Sequence, residues 1–222
     1  MTVTGEQMYA DNFSVTKLVS DRAVQADFSF LGTAIRSEEE AIDNQQLRFK
    51  AQVNDKAALA AGHYNGFTVT EYGFLAFRKD YLADESSALT LNVEAKNGEE
   101  TKTVAVSKHE AYQPAVNKDV VFSEDETTKQ FHARLTGFQP ETNYDKTYLV
   151  RTYAKLKNAA GEELTVYLSE TTGLGVYDLA KAALNEKNKD GSFAESLETR
   201  QTMWELLQNS SYKDDIGERP VA

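Results

Sequence analysis

Short runs that alternate apolar and polar residues fill residues 13–172, and this period-two pattern limits the possible folds more than any other feature of the sequence. Side chains of a β-strand point alternately to its two faces, so such runs predict half-buried strands. The clearest runs begin at Phe28, Leu47, Leu89, Val104, Phe131, Tyr148 and Leu164. Many short strands in series predict a mainly β chain folded as an antiparallel β-sandwich.

Two turn segments support the antiparallel arrangement. Lys96-Asn97-Gly98-Glu99 and Asn158-Ala159-Ala160-Gly161 each separate two alternating runs, and both contain residues that tolerate a positive φ. We expect a β-hairpin at each. An alanine-rich stretch, residues 55–62, predicts a short helix that ends at Gly62.

The periodicity changes from two to 3.6 after Gly175. Val176, Leu179, Ala180 and Ala183 fall on one face of an amphipathic helix. A second helix is predicted to begin at Ser192, with Glu195 completing a capping box and with Phe193, Leu197, Trp204 and Leu207 on its apolar side. We therefore expect a sandwich over residues 1–172, a C-terminal helical hairpin over residues 173–210 packed on it, and a frayed tail over residues 211–222.

The charge of the chain excludes some partners. Its 35 acidic and 24 basic residues give a net charge of -11, which repels phosphate backbones and anionic lipid headgroups. No stretch approaches the roughly 20 apolar residues of a membrane helix. We expect no nucleic-acid partner and no membrane insertion. The absence of cysteine excludes disulfides, thiolate metal sites and cysteine nucleophiles.

The segment of residues 135–154 resembles the tyrosine corner and following strand of fibronectin type III-like sandwiches. It reads Leu135-Thr136-Gly137-Phe138-Gln139-Pro140-Glu141-Thr142-Asn143-Tyr144 and continues with Tyr148-Leu149-Val150-Arg151-Thr152-Tyr153-Ala154. In that corner a buried tyrosine hydroxyl bonds to nearby backbone. The resemblance assigns this position to Tyr144 and implies an immunoglobulin or fibronectin III-like sandwich.

A longer set of motifs spans residues 32–184. These motifs are Gly32-Thr33-Ala34-Ile35-Arg36, Leu47-Arg48-Phe49, Glu71-Tyr72-Gly73, Asn143-Tyr144-Asp145, Thr165-Val166-Tyr167 and Val176-Tyr177-Asp178-Leu179-Ala180. In this order they resemble a β-rich module recurring in large cell-surface and cellulosome-associated proteins of gut and rumen Firmicutes. The sequence departs from that pattern at Gln46, where the module usually has glycine, and at Gly175, where it usually has a helix-capping serine.

The second resemblance implies an extracellular or cell-surface, non-enzymatic accessory module. We expect a monomeric module within a longer protein whose signal peptide lies outside this sequence, because Met1-Thr2-Val3-Thr4 lacks the basic and apolar regions of a signal peptide. The partners that it implies are a polysaccharide or another surface protein.

The sequence contains none of the nucleophile, phosphate-loop, metalloprotease or dinucleotide motifs. The three histidines, His63, His109 and His132, lack ligand spacing, so we assign no catalytic residue, no metal ligand and no cofactor. Residues 186–193 resemble the start of a calcium loop, with oxygen-bearing residues at alternate positions before Gly191. The closing acid of such a loop would fall at Leu197, so a plain interhelical turn is the favoured interpretation.

Three of the eleven tyrosines are the candidate ligand-binding residues: Tyr64, Tyr81 and Tyr112. Each lies in a polar loop setting, where an amphipathic ring can present a face to a sugar; the alternative is a loop anchor. The leading functional hypothesis is a binding or adhesion module for polysaccharide. The second is a structural spacer or protein-docking module without a small ligand, and an enzyme comes third.

Overall fold

The computed structural model describes residues 21–36, 46–110 and 127–221, which form ten strands and four α-helices. The strands are β1 (Phe28–Arg36), β2 (Gln46–Val53), β3 (Phe67–Arg78), β4 (Asn92–Asn97), β5 (Glu100–Ala105), β6 (Ser107–Glu110), β7 (Lys129–Leu135), β8 (Tyr148–Asn158), β9 (Glu163–Tyr167) and β10 (Thr172–Leu174). The helices are α1 (Asp21–Ala26), α2 (Pro140–Asn143), α3 (Val176–Asn185) and α4 (Leu197–Leu207). Short 3-10 helices cover Lys56–Leu59, Lys79–Tyr81 and Lys213–Asp215.

The strands form two principal antiparallel sheets. The first sheet has the order β1-β2-β7. The second has the order β10-β8-β3-β6, and β9 continues the edge beside β8. The remaining two strands, β4 and β5, form a separate two-stranded sheet. Both predicted hairpins are present, since Asn97 pairs with Glu100 and Lys157 with Glu163.

The two principal sheets pack face to face through aromatic side chains. The ring of Phe74 on β3 lies 5.8 Å from Phe49 and 5.4 Å from Phe131, measured between centroids. Tyr72 meets the edge of the Phe131 ring at 4.8 Å. Because these rings come from alternate positions of strands in both sheets, they form the interior of a sandwich. The predicted mainly β, antiparallel sandwich with late helices is confirmed.

A second apolar cluster lies on the opposite face of the second sheet. Leu75, the neighbour of Phe74, points away from the first cluster and packs with buried side chains of the 82–93 segment and of β8. The hairpin β4–β5 and the preceding segment cover this face. Leu89 and Leu91, which the alternation placed in a strand, lie before β4 in irregular backbone. Their burial pattern was correct, but the Leu89 amide bonds to the Thr171 hydroxyl instead of to a neighbouring strand.

Arg151 connects two chain segments that border this second cluster. Its guanidinium donates to the carbonyl oxygens of Ser169 at 2.8 Å and Leu89 at 3.1 Å, and it lies 4.5 Å from the centroid of the Tyr167 ring. Arg151 therefore satisfies two backbone acceptors and joins the 82–91 segment to the end of β9.

The C-terminal helices pack on the sandwich through one continuous core. Val176, Ala180 and Leu184 of α3 are buried with Met203 and Leu206 of α4 in the same cluster as the inter-sheet aromatics. The second helix starts later than predicted. Ser192 does not cap it, because its amide and hydroxyl both bond to Asp190; the cap is Ser196, whose hydroxyl accepts from the Thr199 amide at 3.1 Å.

The expectation of a frayed tail is wrong for the described residues beyond 210. Ile216 is only 8 % exposed, and the Trp204 indole donates to the Gly217 carbonyl at 3.0 Å. Gln201 donates to the Pro220 carbonyl at 2.9 Å. The tail therefore packs along α4. The predicted boundary at residue 173 also shifts slightly, because Gly173 and Leu174 pair with β8 as part of β10.

Candidate functional site

A polar cleft of about 420 Å³ lies where the sandwich, the start of α3 and the segment after α4 come together. One wall is the α2–β8 connection, and the opposite wall is the turn that follows α4. Its lining combines tyrosine rings with carboxylate, amide and hydroxyl groups: Pro140, Tyr144, Asp145, Thr147, Gly175, Tyr177, Asp178, Asn209, Ser210, Ser211 and Tyr212. These groups offer both hydrogen-bond donors and acceptors.

The floor of the cleft is fixed by aromatic packing. Tyr144, the tyrosine of the fibronectin-like segment, is fully buried directly after α2. Its ring lies 5.8 Å from that of Tyr177 and 6.5 Å from that of Phe138, both at steep angles. Edge-to-face pairs of this kind hold their rings in defined orientations. The aromatic side chains beneath the cleft are therefore held in fixed orientations.

Gly175 makes room for the carboxylate of Asp178 at the start of α3. The Gly175 amide donates to Asp178 Oδ2 at 3.1 Å, which satisfies one of the unpaired donors of the first helical turn. A Cβ atom at position 175 would lie 2.8 Å from that oxygen. A serine here would therefore have to displace the Asp178 side chain, so the departure from the module pattern has a direct consequence for this wall.

Tyr212 is held in place by the same carboxylate. Its hydroxyl donates to Asp178 Oδ1, and the Lys181 Nζ lies 4.3 Å from the centroid of its ring. The Tyr212 amide donates to the Ser210 hydroxyl at 3.1 Å. The hydrogen bond to Asp178 and its negative charge raise the pKa of the Tyr212 phenol above its usual value. Tyr212 thus presents an oriented ring at the rim.

A second concavity, of about 450 Å³, adjoins the first. Thr147 lines both, and we call the two together the Thr147 groove. A Cβ on Gly173 would lie 3.1 Å from Thr147 Cγ2, so glycine allows the close approach of β10 to the Thr147 side chain. The lining of the second concavity is again polar: Lys79, Glu85, Ser86, Ser87, Ala88, Thr147, Leu149, Glu170, Thr171 and Gly173.

Tyr81 is the one sequence candidate that the structure places beside the groove with an exposed ring. It ends the short helix that starts at Lys79, a lining residue, and it is 49 % exposed. The Arg78 guanidinium carbon lies 3.8 Å from its ring centroid. Arg78 also donates to Asp80 at 2.6 and 2.9 Å, and this bond lowers the pKa of the Asp80 carboxyl. The ring is therefore stacked on a fixed cation.

The other two candidate tyrosines are Tyr64 and Tyr112. Tyr64 lacks the exposed ring that a sugar platform needs: it is 6 % exposed, its hydroxyl donates to Asp27 at 2.8 Å, and His63 packs against its ring. Its loop setting was correct, but the loop folds back on the core, so this interpretation is wrong. Tyr112 lies outside the described residues.

The calcium-like stretch of residues 186–193 forms a compact turn. Lys187 and Phe193 form an antiparallel bridge, and the Asn188 amide bonds to the Ser192 carbonyl at 2.8 Å. Asp190 Oδ1 accepts from both the amide and the hydroxyl of Ser192. Over residues 21–36, 46–110 and 127–221, no three His, Asp or Glu side chains are grouped so that they could hold a metal ion. Within the same ranges, no helix is long and apolar enough to cross a membrane.

Sequence reasoning missed most of the residues that form the groove. Asp178 was recognised only as part of a helix motif, and Asn209, Ser211 and Tyr212 were assigned to the hairpin end and a frayed tail. A usable signal was present, because Tyr212 and Ile216 place large apolar groups after the last helical turn. Such residues favour a packed segment over a frayed one.

Comparisons with protein-family models, curated proteins and solved structures find no match for this chain. The function therefore has to be argued from the chemistry of its own residues.

Proposed function

We propose that this protein is a non-catalytic module that binds polysaccharide, and that the Thr147 groove is its binding site. The observation that carries the proposal is the lining of the groove, where the oriented ring of Tyr212 in the first concavity stands beside hydroxyl, amide and carboxylate groups, and the exposed ring of Tyr81 follows Lys79 of the second. A sugar ring has apolar C–H faces and a rim of hydroxyls. Tyrosine rings accommodate the former, and side chains such as Asn209 and Ser211 can exchange hydrogen bonds with the latter.

The geometry favours weak binding of part of a long chain. The groove is open to solvent, so a bound polymer keeps much of its hydration, and only a few sugar units touch the protein. Tyr212 and Tyr81 are oriented before the ligand arrives, by Asp178 and Arg78 respectively. This arrangement reduces the ordering cost of binding. Avidity from other modules of a longer protein would compensate for the low affinity of one groove.

The biological setting that we propose follows from the sequence resemblance to cell-surface and cellulosome-associated modules. It is an extracellular accessory unit that keeps a larger protein close to a polysaccharide or mediates adhesion to it. A chain without cysteine is compatible with this setting, because its stability does not depend on the redox state of the compartment.

A structural spacer or protein-docking module is the second candidate, and one observation favours it. Eight of the nine tyrosines with described side chains, all except Tyr81, pack in or against the two apolar clusters. A spacer needs no exposed ring. Among the described residues, Tyr81 is the only tyrosine with a largely exposed ring, so binding through the groove depends strongly on that side chain.

The test is affinity electrophoresis of the whole protein in gels that contain neutral plant-wall or storage polysaccharides. We expect retardation by at least one polymer and a several-fold weaker effect for Tyr81→Ala, because a lost aromatic contact removes roughly 0.5–1.5 kcal/mol beyond the buried area. Asn209→Ala should also weaken binding. Phe193→Ala is the matched control, since Phe193 is 40 % exposed but lies in the α3–α4 turn.

The outcomes separate the two candidates. Absence of retardation by every polymer would favour the spacer. Retardation that Phe193→Ala reduces, and that Tyr81→Ala and Asn209→Ala leave unchanged, would keep the binding function but place its site outside the groove.

A further inference from the structure

The carboxylate of Glu170 differs from the other three in the Thr147 groove, because it has no hydrogen bond or ion pair with any described residue. Both oxygens of Asp178 accept hydrogen bonds from the protein. Asp145 pairs with the following lysine at 2.9 Å, and Glu85 lies 3.4 and 3.9 Å from two lysine Nζ atoms. The Glu170 side chain is exposed and lines the second concavity. A ligand in the groove can therefore use both of its oxygens.

The backbone of Glu170 is held in place from both sides. The Ser169 hydroxyl accepts from the Thr152 amide at 3.0 Å and donates to the Glu170 carbonyl at 3.1 Å. On the other side, the Thr171 hydroxyl accepts from the Leu89 amide at 2.9 Å. Because the neighbouring residues are already ordered, a ligand that binds the carboxylate does not have to order this segment of backbone.

The chemistry of a carboxylate in this place suits a pair of sugar hydroxyls. An ionised carboxylate accepts hydrogen bonds through two oxygens that lie side by side. Two hydroxyls on adjacent carbons of a sugar ring are also close together, so each can donate to one oxygen of Glu170. Hydrogen bonds to an ionised acceptor are roughly twice as strong as neutral ones. The lining of the groove contains four acidic residues and one lysine, which opposes a polymer of uronic acids and favours a neutral sugar.

We propose that Glu170 determines which polysaccharide the Thr147 groove binds, and that the ligand is a neutral polymer whose internal sugar units carry two free hydroxyls on adjacent ring carbons. This inference rests on the proposed function of the groove and narrows its ligand. Cellulose and xylan chains carry such a pair on each internal unit. In laminarin-type chains the glycosidic linkage occupies the hydroxyl that both possible pairs share, so their internal units have none.

The test is calorimetric titration of the whole protein with cellohexaose and laminarihexaose, two glucose oligomers of the same composition and length. We expect the wild-type protein to bind cellohexaose roughly fivefold more tightly or better. Glu170→Gln keeps one acceptor oxygen and removes the charge, so it should weaken the binding of cellohexaose by roughly fivefold and change that of laminarihexaose little. The melting temperature of Glu170→Gln should equal that of the wild type, because the side chain is exposed.

Glu163→Gln is the matched control, since it removes an exposed carboxylate from β9 outside the groove and should leave both titrations unchanged. Equal affinity for the two oligomers, or binding of cellohexaose that Glu170→Gln does not weaken, overturns this inference; if Tyr81→Ala still weakens binding, the groove itself is retained. Tighter binding of a glucosamine hexamer than of cellohexaose also overturns it, because the carboxylate would then pair with an ammonium group. Failure of both glucose oligomers to bind overturns the inference alone, whereas the proposed function fails only if no polysaccharide retards the protein in electrophoresis.

Discussion

The buried side chain of Tyr153 donates its hydroxyl hydrogen to Glu71 Oε1 at 2.6 Å, and this bond joins the central strands β3 and β8. The same oxygen accepts from Lys108 Nζ at 2.9 Å, and Lys155 Nζ lies 3.8 Å from the other oxygen. Glu71 therefore neutralises two lysines and satisfies a hydroxyl above the second apolar cluster. Because a carboxylate holds this position, the free energy of unfolding is expected to depend on pH.

Glu71→Gln should lower the free energy of unfolding by roughly 1 kcal/mol at neutral pH, because the amide keeps an acceptor for Tyr153 and loses both ion pairs. Burial alone would raise the pKa of Glu71, but the hydrogen bonds from Tyr153 and Lys108 and the lysine charges outweigh it and lower the pKa. The folded-state pKa thus lies below the unfolded-state value, so the stabilisation is present above the latter and is lost as the pH falls through the former.

Urea denaturation of the wild type and Glu71→Gln from pH 7 to pH 3.5 measures this effect. The difference between the two proteins should shrink as the pH falls below the unfolded-state pKa of about 4.3 and the carboxyl becomes protonated. Glu163→Gln is the control, since its carboxylate is 66 % exposed and its ion pair among the described residues is with Lys157. A difference for Glu71→Gln that is independent of pH would contradict the ionic contribution.

Arg151→Lys should destabilise the protein by roughly 1–3 kcal/mol although it keeps the positive charge. The planar guanidinium reaches the carbonyls of Ser169 and Leu89 while it stacks on Tyr167, and an ammonium group cannot do all three. Thermal or urea unfolding gives the value. Lys157→Arg, an exposed position, should leave stability unchanged within about 0.5 kcal/mol.

The sequence predicted the sandwich because its inner rings alternate strictly, as Phe49 and Phe131 do with their polar neighbours. It missed the second apolar cluster, although Phe74-Leu75-Ala76-Phe77 is an unbroken apolar run. Such a run indicates a strand buried on both faces. The hairpin over this face was recognised as a hairpin, but its packing partner depends on tertiary contacts that periodicity does not record.

The candidate site could be predicted less well than the fold, for a physical reason. The groove joins Asp145, Asp178 and Tyr212, which are far apart in sequence and meet only because α3 and α4 fold back on the sandwich. Tyr81 and Tyr64 looked alike in sequence, since both are tyrosines in polar surroundings. Their exposures are 49 % for Tyr81 and 6 % for Tyr64, because the Tyr64 ring packs in the inter-sheet core cluster while its hydroxyl donates to Asp27.

Ile216→Ser should destabilise the protein by roughly 1–3 kcal/mol, because it removes a buried apolar group and places a hydroxyl in its position. The matched control is Val221→Ser, since Val221 is 80 % exposed in the same tail and should tolerate the change within about 0.5 kcal/mol. Equal melting temperatures for wild type and Ile216→Ser would show that the tail contributes nothing to the stability of the fold.

Replacing Tyr64 or Tyr81 by phenylalanine tests which of the two tyrosines stabilises its loop through its hydroxyl group. Tyr64→Phe should cost roughly 1 kcal/mol of unfolding free energy at pH 7, because it deletes the hydrogen bond to Asp27, whereas Tyr81→Phe should change stability by less than about 0.5 kcal/mol.

The effect of Tyr64→Phe should also depend on pH. Burial, and then the hydrogen bond and charge of Asp27, raise the pKa of the Tyr64 phenol above its usual value. A raised folded-state pKa stabilises the native state below the unfolded-state value of about 10, and this contribution is lost as the pH rises further. Urea denaturation of both variants at pH 7 and pH 10.5 measures it, and the Tyr64→Phe difference should be smaller at the higher pH. A larger loss for Tyr81→Phe than for Tyr64→Phe would reverse the assignment of which ring anchors its loop.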